Sequence, residues 1–390
     1  MNKKLYVNFY FLLILGYVLS SSIQFQSLGK LMKYAFTFLM ITYLVKEKIS
    51  LKRYALILSL LGPFFLSPLV LILFNIYSLM TVDALIFSFS YILFIFLVIA
   101  VISLFNDIYN YCKITNIAIF ISLFLNVIYS RELKFNIINL LADMLGNERE
   151  YRSYLGFTNP NVVGLIAMVG LICCLISILR KDQLKMNLIM GGFYLFVIIN
   201  TGSRTALLSP ALAIFFIITI YMIKKLRIEI RVIFFCVTVC TILLFFIFYF
   251  DDISFNLYEF NTLTSGRFER QIITIRYLID NGLTMFGMGN LNSSALYSDE
   301  NVYAHFLNTD NTPTYFLVTI GLFGCIQVLG ILIGIFCKIR NSSLISYLFF
   351  FISIISSLFE HTLFVPSSLF SLFFLCGIFI SYDAELEGNR

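Results

Sequence analysis

The feature that most constrains this chain is the recurrence of apolar runs of bilayer-crossing length. A helix needs about 20 apolar residues to cross the hydrocarbon of a membrane. Runs of this kind fall near 5–23, 28–45, 54–75, 83–104, 114–130, 160–179, 186–200, 204–223, 232–250, 313–337, 343–359 and 362–380. Hydrophobic residues make up 60% of the chain and charged residues only 12%, where a soluble domain carries about 25% charged. The fold class expected is therefore an all-α polytopic membrane protein of about twelve transmembrane helices, forming one integral membrane domain over 1–390. The first run follows Lys3 and Lys4, with no convincing small-residue cleavage site after it, and is read as a retained helix.

Orientation follows from the basic residues, which gather in alternate connections. Lys3, Lys4, Lys46, Lys48, Lys52, Arg53, Lys113, Arg180, Lys181, Lys185, Lys224, Lys225, Arg227, Arg231, Lys338, Arg340 and Arg390 share one side if both termini are cytoplasmic. Two connections on the opposite side are long. Residues 131–159 carry Ile137, Ile138, Leu140, Leu141, Met144 and Leu145 at helical spacing, which suggests an interfacial helix. Residues 251–312 form a larger loop, of a length that is uncommon unless functional. It contains a helix starting at Ser265, with Phe268, Ile272, Ile275 and Ile279 on one face and Arg267, Arg270 and Thr274 on another. Arg276 stands four residues before Asp280, the spacing of an intrahelical ion pair.

Against this background one arginine stands out. In "VIINTGSRTALLSPAL", residues 197–212, Arg204 lies in a five-residue break between two apolar runs, with Ser203 as the expected helix cap. The positive end of a helix prefers an anion, so a guanidinium in the first turn calls for one, and phosphate offers it bidentate geometry. The bland alternatives are snorkelling to lipid headgroups or pairing with an acid such as Glu148. In "YRSYLGFTNPNVVG", Asn159 and Pro160 read as a cap and a first-turn proline, close to Arg152 and Asn161. Arg152 could equally pair with Glu148. Thr312 and Pro313 open the next long span in the same way, after Asp310 and Asn311.

The other polar signals are weaker. His305 and His361 are the two histidines, and a histidine or carboxylate can serve as a general base. The eight cysteines and two histidines follow no metal spacing, so no metal or other cofactor is expected. "FGMGN", residues 286–290, reads as a glycine turn and lacks the rest of a phosphate-binding loop. Gly330 and Gly334 read as a site of close helix approach. Nothing points to nucleic acid.

Four stretches, "RSYLGFTNPNVVG" (152–164), "TGSRTALL" (201–208), "SGRFE" leading to "MFGMGN" (265–290) and "NTDNTPTYFLVTIGLFG" (308–324), together with the span pattern, resemble the Wzy-type polysaccharide polymerases. These lie within the superfamily that includes the O-antigen ligases. Arg276 and Gly287 also match the R-x10-G spacing of some members. The resemblance implies a GT-C-type membrane glycosyltransferase. It would join oligosaccharide repeats carried on undecaprenyl diphosphate, the growing chain as donor and one lipid-linked repeat as acceptor, at the outer side of the bacterial plasma membrane. It further implies inverting, metal-independent transfer, and a flippase and chain-length regulator as partners. On that reading Arg204, Arg152 and Arg267, in that order, bind the leaving diphosphate, with Arg270, Arg276, Asn159, Asn161 and Asn311 nearby, and His305, Asp310 or Glu269 takes the acceptor proton. The sequence departs from many relatives at Asn308, where they carry a histidine; His305 lies upstream of that position. Two alternatives share these residues: a ligase delivering finished polymer to a final acceptor, and a transporter of the lipid-linked repeat. The near absence of charge inside the spans disfavours the transporter.

Overall fold

The computed structural model describes residues 3–73, 82–135, 152–225, 267–289, 311–339 and 343–388. The 232–250 span, the interfacial helix near 137–145, Ser265, Asn308, His305 and Asp310 lie outside them. The described chain is helical throughout, apart from one isolated antiparallel bridge between Ser22 and Phe157. Its helices are α1 Lys3–Ser20, α2 Gln26–Lys46, α3 Ala55–Leu58, α4 Ser67–Leu73, α5 Val82–Leu104, α6 Ile108–Ser130, α7 Pro160–Leu179, α8 Leu184–Thr201, α9 Arg204–Lys225, α10 Arg267–Asp280, α11 Thr312–Ile339, α12 Leu344–Phe359 and α13 Leu369–Gly388.

Six helices among the described residues are long and apolar enough to cross a bilayer: α2, Leu85–Leu104 of α5, α6, α7, α8 and α11. Arg204–Thr219, Leu344–Phe359 and Leu369–Tyr382 are apolar but shorter. The run at 54–75, expected as one span, is instead a chain of short pieces with a π turn at Gly62–Leu66, and Leu51–Leu58 meets Gly62–Val70 at 61°. Pro63 and Pro68 explain why: each removes a backbone donor and obstructs a straight helix. α6 begins earlier than expected because Asp107 accepts from the Tyr109 amide and caps it, which also draws Cys112 into the helix. Of the two glycines of the GxxxG in α11, Gly334 stands at a close approach to α3 and Gly330 does not. A methyl at Gly330 would meet open space and one at Gly334 the Leu56 side chain.

Buried apolar side chains form one large cluster running through α1, α2, α5 to α9 and α11 to α13. α1 packs on α2, α7 on α8 and α6, and α9 on α12. Leu31, Phe38, Ile189, Phe215 and Ile326 point outward, exposed, as side chains do whose solvent is lipid. Among the described residues Lys33 is a buried basic side chain, in α2, its ammonium 5.4 Å from the Tyr17 ring centroid and 5.0 Å from that of Tyr34.

The bundle has two chemically distinct ends. At one, Arg180 pairs with Asp107 at 3.1 Å, Lys113 with Asp182 at 3.4 Å, and Lys3 donates to Asn106. These are exposed pairs, worth about 0–1 kcal/mol each. At the other end lie the bridge at Ser22, the Asn159 cap, Arg152, the first turns of α7, α9 and α11, and the turn after α12.

The most unusual backbone feature is a break inside α11. Gly321 takes φ 63° and ψ −172°, leaving helical conformation midway through the element. Two carbonyls before the break and two amides after it lose their helical partners, a costly loss in hydrocarbon. The turn after α10 restores all four. Met288 and Gly289 amides donate to the Val318 and Thr319 carbonyls, while Leu322 and Phe323 amides donate to the Thr284 and Met285 carbonyls. This exchange needs glycine on both sides. A methyl at Gly287 would lie 2.6 Å from the Gly321 nitrogen, and one at Gly321 would lie 2.4 Å from the Met285 carbonyl oxygen. The turn at 284–289 thus docks on α11 and seals a broken helix. Gly287→Ala is expected to lower the thermal unfolding midpoint of the detergent-solubilised protein by more than the ~1 kcal/mol equivalent of an ordinary glycine replacement. Gly330→Ala, facing open space, leaves it unchanged or raises it.

Candidate functional site

α7 starts as its sequence dictates. Asn159, in extended conformation, accepts from the Asn161 amide at 2.8 Å, and Pro160 occupies the first helical position. α8 ends at Gly202, in the left-handed region at φ 59°, and α9 begins two residues later at Arg204. Ser203 does not cap α9 through its side chain. Its hydroxyl is buried against Gly164 with no hydrogen-bond partner among the described residues.

Arg152 lies across this break. Its Nε donates to the Thr201 carbonyl at 2.8 Å, taking up an acceptor at the negative end of α8, and Nη2 donates to Asn161 Oδ1. Its stem runs over Gly202, where a methyl would sit 3.3 Å from Cγ and Nε. Arg204, half-buried, follows two residues on, so the break brings the two leading arginines of the sequence reading to one place.

Asn161 passes the connection onward, its Nδ2 donating to Glu360 Oε1 at 2.8 Å. Glu360 follows the last residue of α12, and its carbonyl accepts from Thr312 Oγ1 at 3.1 Å. Thr312 in turn accepts from the amides of Thr362 and Leu363. The first turns of α7 and α11 and the end of α12 are thereby joined through polar groups. Asn311 serves as a cap, accepting from the Thr314 amide at 2.9 Å. Glu360 thus lies beside the positive end of α7; Glu148, weighed from sequence as a partner of Arg204 or Arg152, lies outside the described residues.

His361 packs its ring on Tyr315, centroids 3.7 Å apart. Its Nε2 is sealed from solvent without a hydrogen-bond partner among the described residues. Burial pushes its pKa down to about 3, so the imidazole is neutral in the folded protein. Glu360 and His361 were not among the favoured site residues in sequence. Their one signal was a polar pair in a tight turn between two apolar runs.

The remaining candidates are placed less centrally. Arg267 and Glu269 open α10, where only their place in the helix is described. Arg270 is half-buried on the side of Thr274, whose hydroxyl donates to the Arg270 carbonyl. Arg276 and Asp280 are both exposed and do not form the ion pair that their spacing suggested. No group of three or more potential metal ligands occurs among the described residues.

The model of the O-antigen ligase family matches residues 189–329, from α8 through the first part of α11. This supports the place of the chain in the O-antigen polymerase/ligase superfamily. The matched stretch contains Arg204, Arg267, Arg270, Arg276 and Asn311, while Arg152, Asn161 and Glu360 lie beyond it. No curated protein sequence matches the chain.

Two outcomes follow from this geometry. Lysine at 152 offers a point charge in place of a planar fork and cannot reproduce both bonds; Arg152→Lys is expected to lose about 1–3 kcal/mol of stability, read from thermal unfolding. The depressed His361 pKa means that unfolded chain takes up a proton before folded chain does. Stability is full above pH 6.5 and falls as pH drops from there toward 3, by up to about 1.4 kcal/mol per pH unit. His361→Phe, which keeps a ring against Tyr315, flattens that part of the profile.

Proposed function

We propose that this chain is a polysaccharide polymerase. It joins undecaprenyl-diphosphate-linked oligosaccharide repeats by inverting glycosyl transfer without a metal ion, within a bundle of about twelve spans. The family match over 189–329 carries the reading, and the gathering of Arg152 and Arg204 at one helix break supports it. Both termini are assigned to the cytoplasm, which puts the arginine end at the outer face of the plasma membrane.

In the proposed reaction an acceptor hydroxyl attacks the anomeric carbon of the donor sugar. The bond from that carbon to the diphosphate oxygen breaks, and undecaprenyl diphosphate leaves with the electron pair. Negative charge grows on phosphate, and guanidinium groups with outward helix N-termini are suited to stabilise it. Each charge-assisted hydrogen bond contributes about 1.5–3 kcal/mol. Arg204 ranks first for this role, then Arg152 and Arg267; His305, Asp310 or Glu269 receives the hydroxyl proton.

The O-antigen ligase description of the matching family favours one second reading, transfer of finished polymer to a final acceptor. A deletion strain separates the two on a gel of surface polysaccharide. The polymerase reading expects single repeats where the complemented strain shows a ladder; long lipid-linked chains that never reach their acceptor would establish the ligase. In the complemented strain, Arg204→Ala and Arg152→Ala are expected to reduce polymer sharply at unchanged protein level. Full-length, full-amount polymer from both variants would remove the diphosphate role.

A further inference from the structure

The amphipathic helix α10 has three faces. At about 100° per residue, Thr274 and Leu278 lie on one, and both are fully buried. Leu278 packs with Met288 and Val318, so this face is fixed to α11. Arg276 and Asp280 lie on a second, exposed face. The third carries Ile275 and Ile279, and it is exposed although apolar, Ile279 to 59%.

That third face does not end with the helix. Met285 and Phe286 follow it, exposed, and backbone bonds join this turn to Leu322 and Phe323 of α11. The Phe286 and Phe323 rings stand 6.2 Å apart. From Leu322 and Phe323 the exposed apolar surface continues along one face of α11 through Ile326, Leu329 and Ile333. That part of α11 belongs to a helix of bilayer-crossing length and apolarity, so its exposed face is turned to lipid. The strip on α10 is continuous with a lipid-facing surface, and Arg276 stands beside it where a cation meets anionic headgroups.

We infer that α10 is a membrane-surface helix: Ile275, Ile279, Met285 and Phe286 insert into the acyl–headgroup boundary of the bilayer, while Thr274 and Leu278 hold the helix to the break in α11. The occupant of the strip is phospholipid. The inference concerns where the helix lies and is independent of the reaction assigned to the protein. Its consequence for any lipid-borne substrate is placement, because Arg270 sits on the bundle-facing side of a helix held at headgroup depth.

The chain contains no tryptophan, so single tryptophans report without background from native ones. Ile279→Trp, Phe286→Trp, Asp280→Trp and Ile326→Trp would be reconstituted, as full-length protein, into vesicles of phosphatidylcholine and phosphatidylglycerol. Each would be quenched by dibrominated phosphatidylcholine from the lipid and by iodide from the water. The expected result is strong lipid quenching at 279 and 286, comparable to 326, with iodide quenching several-fold weaker than at 280. Iodide quenching at 279 and 286 equal to that at 280 would place the strip in water and overturn the inference. Quenching by neither agent would show another segment of protein covering the strip, and would overturn it equally. Phe286→Trp exchanges one aromatic ring for another and carries the test if Ile279→Trp does not fold.

Discussion

Hydrocarbon offers no hydrogen bonds, so each interruption of a helix in this protein must find its backbone partners within the protein itself. The break at Gly321 shows the rule in its strictest form. Freed carbonyls and amides on α11 exchange bonds with the turn at 284–289, and two glycines let the backbones meet. The junction between α8 and α9 obeys it by other means, with Gly202 turning the chain and Arg152 taking the Thr201 carbonyl. At the head of α7 the Asn159 side chain does the same for an amide. These repairs require polar residues, and several of them concentrate at one end of the bundle. The candidate chemistry sits there because that is where the chain changes direction.

That concentration has an electrostatic consequence. α7, α9 and α11 begin at the same end, each presenting the partial positive charge of a helix N-terminus. Arg152 and Arg204 add full charges, and Glu360 supplies an anion beside Asn161. On the proposed function, these groups are the ones that would meet the leaving diphosphate.

Much of this was legible in the sequence, and what was not has physical causes. The cap at Asn159 and the start of α9 at Arg204 follow local rules that hold wherever the helix finds itself, whereas α11, expected to open on Thr312, is capped one residue earlier by Asn311. Glu360 was invisible because its meaning lies in Asn161, far away along the chain, and nothing local marks that contact. Gly321 was hidden because a glycine inside an apolar run carries no sign of what will dock against it. The π turn at 62–66 could have been suspected from Pro63 and Pro68. The grouping of residues on α10 followed helical spacing, but its contact with α11 through Thr274 and Leu278 depends on Met288 and Val318 and carries no local mark.

The central claim is that the arginine end stabilises a departing lipid diphosphate. Its most direct measurement uses the purified protein in vesicles with undecaprenyl-diphosphate-linked repeats and a chelator, counting undecaprenyl diphosphate released against glycosidic bonds formed. The account predicts one diphosphate released per bond in the presence of chelator, and a turnover rate in Arg204→Ala that falls steeply while binding of the lipid-linked repeat changes less. Bond formation that stops with chelator, or an Arg204→Ala protein that turns over at the native rate, would contradict it.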